Sequence, residues 1–154
     1  MKSQPDIRLE MVSDPVYLAG ARELVSSVAR RLGFPEEACG QIALAVDEAL
    51  CNVIRHGYER RKDAPIWLSI FPLSSDGNVT GLRIVVEDEA RQVDPEQIRS
   101  RDLDEIRPGG LGVHIIQQVM DEVKYEKRSP LGMRLTLIKH RKEAPAEAAA
   151  ARAG

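Results

Sequence analysis

The chain has 154 residues, 43% of them hydrophobic and 30% charged, with a net charge of -2. That length fits one domain with a sizeable core, and the near-neutral balance gives no electrostatic grip on nucleic acid or on an anionic bilayer. No apolar run approaches the ~20 residues of a membrane span, and Met1-Lys2-Ser3-Gln4-Pro5-Asp6 lacks the apolar stretch of a secretory leader, so a cytoplasmic protein is expected.

Ile7-Arg8-Leu9-Glu10-Met11 alternates apolar and polar residues and predicts a strand. Asp14-Pro15 supplies an N-cap and a first-turn proline to a helix in which Tyr17, Leu18, Ala21, Leu24, Val25, Val28 and Leu32 recur at helical spacing, and Gly33 ends it. Pro35-Glu36-Glu37 opens a second helix with acids where the helix dipole favours them. Its buried stripe is Ile42, Ala45, Val46, Ala49 and Val53; it runs to about 54–56, with Gly57 as its stop. Ile66–Phe71 and Leu82–Glu87 predict a hairpin around the turn cluster 74–78. A polar stretch, roughly 89–108, follows, with one helical turn starting at Pro95. Leu111–Met120 is a helix, and Val123–Glu126 and Met133–Ile138 are two closing strands around Ser129-Pro130-Leu131-Gly132. This order implies a two-layer α/β sandwich: a mixed, mostly antiparallel sheet with helices on one face. Residues 1–141 form the single expected domain, and the Ala- and Glu-rich segment 142–154 is expected to be a disordered tail.

Cys39 and Cys51, the only cysteines, fall in one helix and read as small thiols of the interior or its margin. His56, His114 and His140 show no metal-ligand spacing, so no transition-metal site is expected. Trp67, Phe71 and Tyr17 belong either to the core or to a subunit face, and Glu36, Glu37 and Arg60-Arg61-Lys62 to solvated surface.

Three places have chemistry within reach, each with a plainer alternative. Glu48 and Asn52 are one helical turn apart on the second helix. An amide oxygen is a hard neutral ligand suited to Mg2+, and a carboxylate beside it can accept a proton from a hydroxyl; the plainer reading is a solvated helix edge. Asp47 is read as solvent-facing. Asp88 ends an apolar strand, where an acid needs a donor such as an adenine amino group, or else simply caps the next turn. Gly109-Gly110-Leu111-Gly112 enters a helix, and such a turn brings backbone N–H groups close to phosphate, with Arg107 just before it, or is only a tight loop.

Glu48-Ala49-Leu50-Cys51-Asn52-Val53-Ile54-Arg55-His56-Gly57-Tyr58 resembles the N-box of the GHKL ATPase superfamily, and more narrowly the RsbW-type anti-sigma regulatory factor serine/threonine kinases, where E-A-x-x-N-x-x-x-H-G-Y is usual. Val86-Glu87-Asp88-Glu89-Ala90-Arg91 followed by Val93-Asp94-Pro95 resembles that family's D-x-G box and trailing F-D-P, and Gly109–Ile116 its second glycine box. The resemblance covers roughly residues 10–140 and implies the Bergerat ATP-binding fold, an ATP/ADP and Mg2+ site, and phosphorylation of a serine on a STAS-domain anti-sigma antagonist. It implies Glu48 as the general base, Asn52 as the Mg2+ ligand, Asp88 on the adenine amino group, and Ala90, Arg107, Gly110, Leu111, Gly112 and Val113 around the nucleotide. Such kinases often sequester a sigma factor and often form homodimers; neither nucleic acid nor membrane is an expected partner.

The sequence departs from the pattern at Ala90, where glycine is usual, and at Gln92 and Val93, where Pro and Phe are common. If position 90 requires a positive φ, alanine costs about 1 kcal/mol there and weakens the nucleotide site. That departure keeps a second reading in view, a non-catalytic anti-sigma or adaptor module that answers to nucleotide. A sensor histidine kinase fits less well: no dimerisation helix with a phosphoacceptor His precedes the domain, and the segment from Asp88 to Gly109 is short for an ATP lid.

Overall fold

A computed structural model describes residues 3–98 and 111–142, with the backbone alone at 111–113. Arg107, Gly110 and the expected tail beyond Lys142 lie outside the described residues.

Strand β1 (Ile7–Val12) alternates half-buried and exposed positions, as its sequence does. Asp14 then caps a short 3-10 turn at Pro15–Tyr17, accepting from the Val16 N–H at 3.0 Å. Helix α1 (Leu18–Arg31) buries Ala21, Val25 and Ala29. Gly33, at φ 93°, turns the chain into helix α2 (Glu36–Asn52), whose first turn carries Glu36 and Glu37. Glu36 pairs with Arg30 at 2.5 Å across that turn. Ile42, Ala45, Val46 and Ala49 are buried as predicted; Cys39 and Leu50 widen the stripe, while Val53 is only partly buried.

The end of α2 differs from the expectation in two ways. Val53–Gly57 is a π-helical turn rather than a continuation of the α-helix, with the Tyr58 N–H reaching the Val53 carbonyl at 2.8 Å. Gly57 is the last helical residue, as expected, but it does not take the left-handed conformation of a glycine stop. Glu59 and Arg60 take the left-handed positions, at φ 51° and 68°, and the Arg60 N–H closes the end on the Ile54 carbonyl at 2.8 Å.

Strands β2 (Pro65–Ser75) and β3 (Asn78–Asp88) are longer than predicted, because the pairs Ser74–Val79 and Ser75–Asn78, which carry no apolar alternation, still join the ladder. Asp76 and Gly77, at φ 53° and 80°, make the two-residue turn whose twist suits a hairpin. A helical turn occupies 95–98, and helix α3 (Leu111–Val119) leads to β4 (Glu122–Lys127) and β5 (Met133–His140). The strand order is β1-β2-β3-β5-β4 and every pairing is antiparallel. The expected sheet was mixed. Strands β3 and β4 do run the same way, but the β4–β5 hairpin inserts β5 between them, so no parallel ladder forms among the described residues.

Ile66, Leu68 and Ile70 of β2 and Leu82, Ile84 and Val86 of β3 face α1, α2 and Ile116 of α3, which together form the core. The other sheet face is covered by arginine: Arg83 lies over the Phe71 ring at 3.9 Å and Arg128 over Trp67 at 4.7 Å. Neither aromatic is in the helix-side core, and Tyr17 is 53% exposed. Cys39 is buried and Cys51 half-buried, and burial pushes both thiols up, away from reactivity. Among the described residues no helix is long and apolar enough to cross a membrane.

Candidate functional site

Asp88 is the last residue of β3 and is 4% exposed. A carboxylate in that position needs donors. Its Oδ1 accepts from the Ala90 N–H at 2.8 Å and from the Met133 N–H at 3.1 Å. Among the described residues no donor reaches Oδ2. Asp88 therefore caps its own turn with one oxygen, and the other meets no donor among the described residues, so the capping reading of the sequence does not exclude the binding one. Burial pushes its carboxyl up, against the lowering effect of the two N–H bonds and of Arg128.

Three distant segments fix this corner. The Tyr58 hydroxyl donates to the Pro65 carbonyl at 2.6 Å and accepts from the Glu89 N–H at 2.7 Å, tying the end of the π-turn to the residue after Asp88. Gly57 lies against Ala90: a Cβ at 57 would stand 3.1 Å from the Ala90 methyl. Gly132, at φ 94°, crosses so close beneath that a Cβ there would fall 1.8 Å from the Asp88 carbonyl oxygen. The sequence marked Gly132 only as a turn residue and Tyr58 only as part of a motif. Their contacts with 88–90 come from parts of the chain brought together by the sheet.

The question of strain at position 90 is settled by the backbone. The non-glycine residues with positive φ among those described are Glu59, Arg60 and Asp76, so Ala90 does not carry the foreseen strain. Its methyl is buried against the core. Ala90→Gly should therefore lower stability, by about 1 kcal/mol from added freedom in the unfolded chain and the lost methyl; a urea midpoint below that of the parent is the expected reading.

Glu48 and Asn52 are half-buried near the end of α2, four residues apart on one side of the helix. Glu48 makes no ion pair among the described residues. Asp47 departs from the expectation of an idle solvent-facing acid: it is half-buried and pairs with Arg22 of α1 at 3.5 Å, joining the two helices. Helix α3 packs on α2. Leu111, Gly112 and Val113 lead its described part, with the backbone alone placed. His114 is exposed and bonds Gln118 at 2.9 Å, and His56 is exposed.

The π-turn thus carries the helix of Glu48 and Asn52 up to the loop that follows Asp88. An acceptor oxygen in a buried corner can hold an amino group, and a free carboxylate with a neighbouring amide can serve a proton and a hard cation.

Over residues 11–139 the chain matches the family described as Histidine kinase-like ATPase domain. It is 28% identical over 145 residues to the serine-protein kinase RsbW of Bacillus subtilis (strain 168), covering 88% of each chain. It is 30% identical over 122 residues to the serine-protein kinase RsbW of Listeria innocua serovar 6a, covering 77% of each. Among solved structures, the mycobacterial sensor histidine kinase MprB superposes with a TM-score of 0.48 at 15% identity, over 90% of this chain and 100% of that one. With the matched region spanning most of its length, the chain belongs to the histidine kinase-like ATPase domain family and is of the RsbW type.

Proposed function

We propose that this protein is an ATP-dependent serine kinase of a partner-switching system, which phosphorylates a STAS-domain anti-sigma antagonist and sequesters a sigma factor when the antagonist is phosphorylated. The observation that supports the reading is Asp88: a buried strand-end acid with one oxygen committed to backbone N–H groups and the other without a donor among the described residues. The π-turn that continues the helix of Glu48 and Asn52 brings Gly57 against Ala90, two residues past Asp88.

In this reading the Asp88 Oδ2 accepts from the adenine amino group, beside the buried methyl of Ala90. By the family resemblance, the Asn52 amide oxygen would hold Mg2+, and Arg107, Gly110, Leu111, Gly112 and Val113 would be the residues toward the phosphates. Bound magnesium nucleotide supplies the phosphoryl group and the charge neutralisation that its transfer needs. The Glu48 carboxylate accepts the proton of the substrate serine hydroxyl as that oxygen forms its bond to the terminal phosphorus and the bond to the ADP oxygen breaks. Glu48 makes no ion pair among the described residues, so no guanidinium or ammonium has to be released before the carboxylate takes the proton.

Removing the base should cost transfer and spare binding. Glu48→Ala is expected to slow phosphorylation of STAS proteins from the same genome by about a hundredfold or more, with the ADP affinity in calorimetry unchanged. Equal rates for parent and variant would remove Glu48 from the chemistry. The second reading, a non-catalytic module that responds to nucleotide, drew its support from Ala90. The ordinary backbone at that residue withdraws the strain argument. That reading would return if the parent bound nucleotide yet transferred no phosphate to any STAS partner.

A further inference from the structure

The chain between Tyr58 and Pro65 is held in a conformation that its own residues disfavour. The Arg61 N–H meets the Tyr58 carbonyl at 3.0 Å and closes a four-residue turn. The two central residues, Glu59 and Arg60, both have positive φ, 51° and 68°. A turn with that pair of signs suits Asn-Gly, whereas glutamate and arginine each resist the left-handed region through their Cβ. Strain of this kind persists only where the surroundings fix it, and it gathers at functional positions. Here the fixing groups are buried anchors. Ser13, fully buried, donates to the Arg61 carbonyl and accepts from the Ala64 N–H at 3.1 Å. The Tyr58 hydroxyl holds Pro65, and the Arg60 N–H holds the Ile54 carbonyl.

What the anchored turn presents to solvent is positive charge. Arg55, Arg60, Arg61 and Lys62 are exposed. Arg61 pairs with Asp63 at 2.7 Å, while Arg55, Arg60 and Lys62 make no ion pair among the described residues. These cations stand at the end of the helix that bears Glu48 and Asn52. Arg55 is seven residues past Glu48, a step of about 10 Å along a helix axis and well inside the footprint of one protein partner.

We propose that Arg55, Arg60 and Lys62 dock an acidic segment of the protein whose serine is phosphorylated, which rests on the kinase reading and gives its substrate a chemistry. Three cations on a chain of net charge -2 are too few for nucleic acid, whose binding depends on many phosphate contacts. A carboxylate-bearing loop, seated while its serine approaches Glu48, needs no more. The fixed dihedrals aim Arg60 before the partner arrives, so less freedom is lost on docking.

Phosphorylation of purified STAS proteins from the same genome by the full chain, followed against STAS concentration at saturating ATP, tests this. Arg60→Gly removes one cation and the left-handed cost together. It should melt about 2–4 °C above the parent, yet raise the KM for the STAS protein about fivefold with kcat and Mg-ADP affinity unchanged. Lys62→Glu should raise that KM about tenfold, and Arg60→Lys should keep it within about twofold of the parent. The parent's KM should climb with added salt more steeply than that of Arg60→Gly. The proposal alone is overturned if Arg60→Gly and Lys62→Glu keep the parent's KM, if Arg60→Lys is as impaired as Arg60→Gly, if the parent's KM ignores salt, or if Arg60→Gly melts no higher than the parent. A parent that binds Mg-ADP but phosphorylates no STAS protein removes the kinase reading, and the docking surface with it.

Discussion

Asp88→Asn should abolish useful nucleotide binding while leaving the fold intact. The asparagine oxygen can still accept from the Ala90 and Met133 N–H groups, as Oδ1 does now. Its NH2 then stands where Oδ2 was and presents a donor to a donor. Loss of a hydrogen bond to a charged group, with the added mismatch, weakens ATP and ADP binding on the order of 100-fold. The stability effect has the opposite sign. Burial raises the Asp88 carboxyl above its unfolded value, so the native state holds that proton more tightly than the unfolded chain. Native stability then falls as pH rises from the ordinary carboxylate value through the raised one, and the loss is constant above that window. The substituted amide does not titrate. The variant should therefore melt at or above the parent at neutral pH, and this relative advantage should vanish in acid below the ordinary carboxylate value. Calorimetry with Mg-ADP, together with melting curves across pH, checks both halves. Full affinity in the variant would separate Asp88 from the ligand.

The largest structural loss is expected from Gly132→Ala. The new Cβ meets backbone, not a flexible side chain: 1.8 Å from the Asp88 oxygen, 2.6 Å from its carbonyl carbon and 2.8 Å from the Glu89 Cα. The residue is also held at φ 94°. Backbone must move, and the loop that moves is the one that holds Asp88. About 3–5 kcal/mol is lost, which for a chain of this size lowers the melting temperature by roughly 10 °C. Gly77→Ala is the matched control, since Gly77 has φ 80° with nothing within 4 Å of its Cβ position. It bears the backbone cost alone, about 1 kcal/mol. If the two variants melt together, the close approach of β5 to the end of β3 is wrong.

The elements were legible because their signals are local. The alternation of β1, the stripe Ile42-Ala45-Val46-Ala49 and the Asp14-Pro15 cap each depend on residues within a turn or two, and each appears where the pattern put it. The end of α2 was not legible. Its π-turn is set by Tyr58 bonding to Pro65 and Glu89 and by Gly57 packing on Ala90, partners that no local period contains. The same limit explains Asp47, whose partner Arg22 lies on the neighbouring helix.

By itself the sequence determined which residues line each face and that an acid ends β3, because side-chain periodicity follows from the geometry of single helices and strands. It also carried, in the spacing of Glu48, Asn52 and Asp88, the resemblance that led to the family. Only the tertiary structure decided that β5 lies between β3 and β4, that Gly132 must be glycine, that Ala90 is unstrained and that the backbone donors around Asp88 reach one of its two oxygens. These depend on how separate segments meet once the core is packed, and a contact between remote residues leaves no periodic trace along the chain.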